Sequence, residues 1–154
     1  LFRSKHPLWA ADVMGTSLVH LLEMTKAYRI PKFVYISSSM VYGDFEDQVR
    51  EDDECNPQGQ YGIMKLMGEW LVKDYTRRGI FEHVIIRPSA VYGEYDVEDR
   101  VVSKFMLGAM RGGILKVNGA NETLDFTYVE DAAMGIALAT TSEAAANKIY
   151  NITR

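Results

Sequence analysis

The chain has 154 residues, 47% of them apolar, a formal charge of −4 and a sequence pI near 5.4. That suffices for one core and argues against a nucleic-acid partner, while the lone cysteine, Cys55, excludes an internal disulfide. No apolar run approaches the roughly 18 residues of a membrane span, residues 2–6 do not lead into a signal-peptide core, and His6, His20 and His83 lack metal-ligand spacing; the expectation is a cytoplasmic enzyme domain without a metal.

In chain order, Ala11, Met14, Leu18, Leu21 and Leu22 keep helical spacing and predict a helix over 8–28. Pro31 restarts the chain, and Phe33-Val34-Tyr35-Ile36 predicts a buried parallel strand ending at Ser37-Ser38-Ser39. Residues 44–58 carry Asp44, Glu46, Asp47, Glu51, Asp52, Asp53 and Glu54, which read as a solvated acidic loop or a substrate lid rather than a metal site. A helix then runs to about Arg78, where Gly79 ends it; Ile63, Leu66, Met67, Trp70 and Leu71 form its apolar stripe, with Tyr61, Lys65 and Gly68 opposite. A second buried strand, 83–87, is stopped by Pro88. Further on, the pattern gives a helix over 101–111, short strands over 115–117 and 124–127, a helix over 130–140 and a last strand over 148–152.

Tyr61 and Lys65 are the most informative pair. Tyr28 and Lys32 share their spacing, but Pro31 between them cannot continue a helix. Ionising a tyrosine at neutral pH costs about 4 kcal/mol. An ammonium about 5 Å away, at an effective dielectric near 20, returns about 3 kcal/mol of that, so Lys65 would favour the Tyr61 phenolate. Serines at the carboxyl end of a parallel strand either cap a turn or face a ligand, because ligands in open α/β sheets bind beyond that end. A hydroxyl there that binds a substrate oxygen, with a tyrosine that exchanges its proton, would suit a nicotinamide-dependent enzyme acting on a sugar-like alcohol.

The set as a whole resembles the extended short-chain dehydrogenase/reductase family, and within it the nucleotide-sugar epimerases and dehydratases. The resemblance rests on Asp12-Val13-Met14-Gly15-Thr16, the serine run with Val41-Tyr42-Gly43-Asp44, the tyrosine helix, Arg87-Pro88-Ser89-Ala90-Val91-Tyr92-Gly93 and Phe126-Thr127-Tyr128-Val129-Glu130-Asp131. It implies an α/β fold with a Rossmann-like doubly wound parallel sheet. Residues 1–90 would be the carboxyl-side part of the dinucleotide-binding domain, and residues 91–154 mainly a small substrate-binding subdomain with a returning helix and strand. No glycine-rich turn after a strand is present to meet a pyrophosphate, and Gly112, Gly113 and Gly119 read as turns, so the expectation is an internal fragment lacking roughly the first 80 residues of the family pattern. NAD is the implied cofactor, with NADP open because the residue that reads the ribose 2′ position would lie in that part.

By resemblance, Ser38 is the catalytic hydroxyl, Tyr61 the acid/base and Lys65 its cationic partner; Ser37, Tyr61, Lys65 and Pro88 hold the cofactor. The 4,6-dehydratases carry Asp and Glu where this chain has Ser39 and Met40, neither of which exchanges a proton near neutral pH, so hydride removal and return at one carbinol is expected, as in a 4-epimerase. Leu124 replaces a frequent diphosphate-binding arginine and Ala90 a frequent asparagine, leaving Arg100 and Lys104 as substitutes or as exposed basic residues at a helix start. Asp12 stands where the family usually has asparagine. The substrate contacts expected are thus Ser39, Met40, Ala90, Arg100 and Lys104. The resemblance also implies a nucleotide-sugar partner and a homodimer built on the 8–28 helix and the apolar side of the tyrosine helix. A same-family reductase, dehydrogenase or dehydratase, or a non-catalytic dinucleotide-binding remnant, are the alternatives.

Overall fold

A computed structural model describes residues 6–44, 48–97, 100–117 and 124–153; Glu46, Asp47 and Gly119 lie outside them. The first helical stretch is α1 (Pro7–Ala11), a wider π turn (Asp12–Thr16) and α2 (Ser17–Ala27). Pro7 sits in the first turn, where its missing N–H costs nothing. On a regular helix Ala10 and Leu18 would drift about 80° apart; the wider turn brings both, with Leu22 and Thr25, to the buried side and leaves the expected Leu21 exposed.

The main sheet is parallel, in the order β1 (Lys32–Ile36), β2 (Glu82–Pro88), β5 (Lys148–Ile152). Among the described strands β1 is an edge, so it is less buried than its apolar run suggests and Ile36 is exposed. β2 is central. Its Ile85 faces α2 and α3 (Gly59–Arg77) in a cluster with Leu18, Leu22, Tyr35, Val72, Tyr75 and Phe81, while Val84 and Ile86 pack on the opposite face with Ile136, Ala139 and Tyr150. This alternation places Arg87 on the α3 side. Gly79, at φ +72, follows α3 as the helix stop that the sequence suggests.

β3 (Ala90–Tyr92) follows β2 after Ser89 alone and pairs in parallel with β4 (Phe126–Tyr128) in a two-stranded sheet. The Ser89 and Thr127 hydroxyls share a hydrogen bond at 2.7 Å. α4 (Val101–Met110) lies between these strands in the chain, residues 115–117 are not a strand, and α5 (Val129–Thr141) packs against both sheets before β5 returns to the main one. No helix is long and apolar enough to cross a membrane among the described residues.

The stripe of α3 differs from expectation. Gly62, Leu66, Gly68, Glu69, Val72 and Tyr75 are buried, whereas Ile63 and Trp70 are 52% and 63% exposed. The sheet-facing side carries two glycines because β1 and its following turn approach closely. A Cβ at Gly62 would land on the Met40 carbonyl, and one at Gly68 on the Tyr35 hydroxyl, so Gly68 makes room for Tyr35 and not for a ligand beside the Tyr61/Lys65 pair.

Candidate active site

The site is assembled where β1 ends. Ser37 N–H continues the ladder to Ile86 O at 2.6 Å, and Ser38, in extended conformation, starts a single 3₁₀ turn, Ser39–Val41. Met40 N–H donates to Ser38 Oγ at 3.2 Å, so Ser38 does cap a turn. A hydroxyl that accepts one bond still has its own proton to donate. Gly43, at φ +80, closes the segment against the Asn56 backbone, where a Cβ would strike the Asn56 carbonyl.

Against this turn lies the start of α3, in contact through Gly62. Lys65 Nζ donates to Ile36 O at 2.7 Å, which brings the ammonium to the carboxyl end of β1. It lies 5.8 Å from the Tyr61 ring centroid and 5.3 Å from that of Tyr35. Burial, then the charges of Glu69 and Tyr61, push the Tyr35 hydroxyl up to about 12, so Tyr35 stays a neutral phenol under the lysine. Ser38, Tyr61 and Lys65 are therefore carried by two directly packed segments, the 3₁₀ turn and the first turns of α3.

Behind them is a buried polar network. Glu69 is 0% and Arg87 2% exposed, and they form a bidentate pair with Arg87 Nε to Glu69 Oε1 at 2.9 Å and Nη2 to Oε2 at 2.7 Å. Burial alone would pull the guanidinium down, but its hydrogen bonds and charge pairing with Glu69 outweigh that and raise it, keeping Arg87 cationic. Ser37 donates its hydroxyl to Glu69 Oε1 at 2.6 Å, so this side chain, expected beside the cofactor, faces the interior. Arg87 Nη1 donates to Tyr42 Oη at 2.7 Å and to Glu51 O at 3.1 Å; Tyr42 Oη donates to Asn151 Oδ1 at 2.8 Å. Glu51 Oε1 in turn accepts from Asn151 N–H at 2.7 Å, docking part of the acidic loop on β5. Glu69 carries no motif, and Arg87 enters the sequence only within its Arg-Pro run. Their signal is a pair of opposite charges on the buried faces of a helix and a strand, where either alone would be costly.

The other expected residues are distributed more widely. Pro88 ends β2 and is half-buried, Ser39 is half-buried and Met40 half exposed. Ala90 and Arg100 line a separate pocket of about 130 Å³ with Tyr92, Asp96, Val101, Val102, Leu124 and Phe126; Lys104 is exposed and outside that lining. Arg100 Nε pairs with Asp96 Oδ1 at 3.5 Å. Asp12 is exposed in the π turn, and no metal-binding cluster occurs among the described residues.

Residues 2–153 match the NAD dependent epimerase/dehydratase family. A putative UDP-glucose 4-epimerase of Methanocaldococcus jannaschii is 34% identical over 96% of this chain and 50% of its own length, and human dTDP-D-glucose 4,6-dehydratase is 30% identical over 92% and 40%. Among solved structures, the UDP-glucuronic acid 4-epimerase of Bacillus cereus in complex with UDP-glucuronic acid and NAD superposes with a TM-score of 0.85 at 30% identity, covering 93% of this chain and 46% of that one. The UDP-N-acetylglucosamine 4-epimerase of Methanobrevibacter ruminantium, at 24% identity and a TM-score of 0.89, shares the fold over 98% of this chain and 50% of its own. The chain spans about half the length of these relatives or somewhat less. With the parallel sheet, the serine turn and the tyrosine helix in place, the chain belongs to the NAD-dependent epimerase/dehydratase family.

Proposed function

We propose that this chain carries the catalytic residues of a nucleotide-sugar epimerase of the 4-epimerase type. The observation that carries this is the Lys65 hydrogen bond to Ile36 O, which holds the ammonium beside Tyr61 at the end of the strand that presents Ser38. Ser38 binds the sugar hydroxyl, using the proton left free by its bond from Met40 N–H. As a phenolate, Tyr61 takes the hydroxyl proton when the carbinol is oxidised, and as the phenol so formed it returns that proton when the ketone is reduced, with the Lys65 ammonium beside its ring throughout.

A dinucleotide fits the nicotinamide end of this arrangement. The ammonium and phenol at the carboxyl end of the parallel strands supply donors suited to ribose hydroxyls, and Pro88 closes β2 without an N–H of its own. Tyr61, Lys65 and Pro88 would hold it, with Ser37 backing them from the interior. When bound, the nicotinamide supplies the hydride acceptor and donor. Ser39 and Met40 add no second proton-exchanging group to Tyr61, which favours return of the hydride over elimination of water. Arg100, with Ala90 in the same pocket, and Lys104, in the first turn of the helix that Arg100 precedes, are the proposed contacts to the nucleotide part. Exposed Leu21, Met24, Ile63 and Trp70 on α2 and α3 support a homodimer through these helices, which a monomeric sedimentation coefficient would refute.

The test uses the full-length gene product with UDP-glucose, UDP-N-acetylglucosamine and UDP-glucuronate and NAD far below substrate concentration. Interconversion at one carbinol without net nicotinamide consumption is expected, and Tyr61→Phe should lower it at least 100-fold, on the scale of general acid–base catalysis. Stoichiometric reduction of NAD would point to a dehydrogenase, and unchanged turnover in Tyr61→Phe to a remnant.

A further inference from the structure

The Glu69–Arg87 pair has a partner on each side of the segment that carries Ser38. Ser37, just before it, is bound by Glu69; Tyr42, just past the 3₁₀ turn, is bound by Arg87 Nη1 and lies with its ring centroid 4.8 Å from the guanidinium. Ser37 and Tyr42 are both buried, so they reach Ser38 through the backbone and not through a ligand. Glu69 also lies on α3, one turn beyond Lys65 and two beyond Tyr61. One 3₁₀ turn is poor at holding its own geometry, and Ser38 Oγ is tied to the Met40 N–H inside it, so any drift of the turn carries the hydroxyl along.

We propose that the Glu69–Arg87 pair is a positioning device that clamps Ser37 and Tyr42 and so fixes the Ser38 hydroxyl relative to Tyr61 and Lys65. The inference rests on the function proposed above. A well-packed apolar pair would serve stability as well as a buried ion pair. What an apolar pair cannot do is hold two hydroxyls, at opposite ends of one turn, in fixed directions.

The test is a double-mutant cycle in the full-length gene product, assayed with the same three UDP-sugars well below each variant's unfolding midpoint. Tyr42→Phe keeps the ring under Arg87 and removes the clamped hydroxyl. It should lower kcat roughly tenfold or more with KM within about twofold, as expected when a reacting group is displaced by a fraction of an ångström. In a Ser38→Ala background the same substitution should cost nothing further, because the hydroxyl being positioned is gone. Ser37→Ala should repeat the pattern from the other end and serves if Tyr42→Phe fails to fold. Equal losses with and without Ser38, no loss, or a change in KM alone would overturn the positioning role while leaving the proposed function standing. Full turnover in Ser38→Ala itself would instead overturn the proposed function, and the positioning role with it.

Discussion

Gly68→Ala should destabilise this protein, although glycine to alanine inside a helix ordinarily gains about 1 kcal/mol. A Cβ there would land on the Tyr35 hydroxyl, lie 2.5 Å from its Cζ and 3.1 Å from Leu18 Cδ2. Ordinary carbon contact begins near 3.5 Å, so the ring is about 1 Å too close. It has little room to retreat, being buried in the cluster of Leu18, Leu22 and Ile85 with the Lys65 ammonium over its face. Overpacking of this kind costs up to about 3 kcal/mol, so after the helix gain a net loss of about 2 kcal/mol is expected. Urea unfolding of the full-length gene product measures it, and the cycle with Tyr35→Leu isolates the cause. With the ring removed, Gly68→Ala should stabilise by about 1 kcal/mol, a coupling of about 3 kcal/mol. Gly68→Ala that stabilises the unsubstituted protein would refute the close approach of α3 to β1.

Arg87→Met should cost about 3–5 kcal/mol in the same assay by leaving Glu69 buried without its cation, and adding Glu69→Met should recover much of it. His83 is held below the ordinary imidazole value of 6.5, first by burial and then by the Lys73 charge. Between those two values the unfolded chain binds the proton and the folded chain does not, so stability present above about pH 6.5 falls as the pH drops. The His83→Gln variant should show a shallower fall between pH 7 and 5, read from unfolding midpoints at each pH. Gly62→Ala, whose Cβ would meet the Met40 carbonyl and lie 2.9 Å from Pro57 Cβ, should lower turnover more than about tenfold, because the tyrosine helix must move off the serine turn. Turnover close to that of the unsubstituted protein would show that the contact does not set the site.

Local signals were legible where a residue type has one physical use. Pro31 and Gly79 mark element ends, and the apolar run before the serines gives β1 and its carboxyl end. The Tyr61/Lys65 spacing and the serine run mark the two segments that the packing of α3 on the 3₁₀ turn brings together, and on which the proposed site rests. Facing was less legible. Periodicity assigns the larger apolar residues to the interior, yet α3 puts Gly62, Gly68 and Glu69 inward and leaves Ile63 and Trp70 exposed. What decides this is the distance to the next element, and a window of one helix does not contain it. The π turn has the same effect on α1 and α2, shifting phase in a way that a fixed 3.6 period cannot follow. The Glu69–Arg87 pair joins residues 18 apart in sequence through the sheet, so neither residue looks unusual until the other is placed opposite.

The most direct test of the account follows the hydrogen at the reacting carbon. The full-length gene product is given a UDP-hexose deuterated at C4, with NAD far below substrate concentration, and the product is read by mass spectrometry and NMR. Hydride removal and return at one carbinol predicts an inverted product that keeps the deuterium at C4. Deuterium moved to C6 with loss of water, released into the nicotinamide pool, or exchanged with solvent would contradict it.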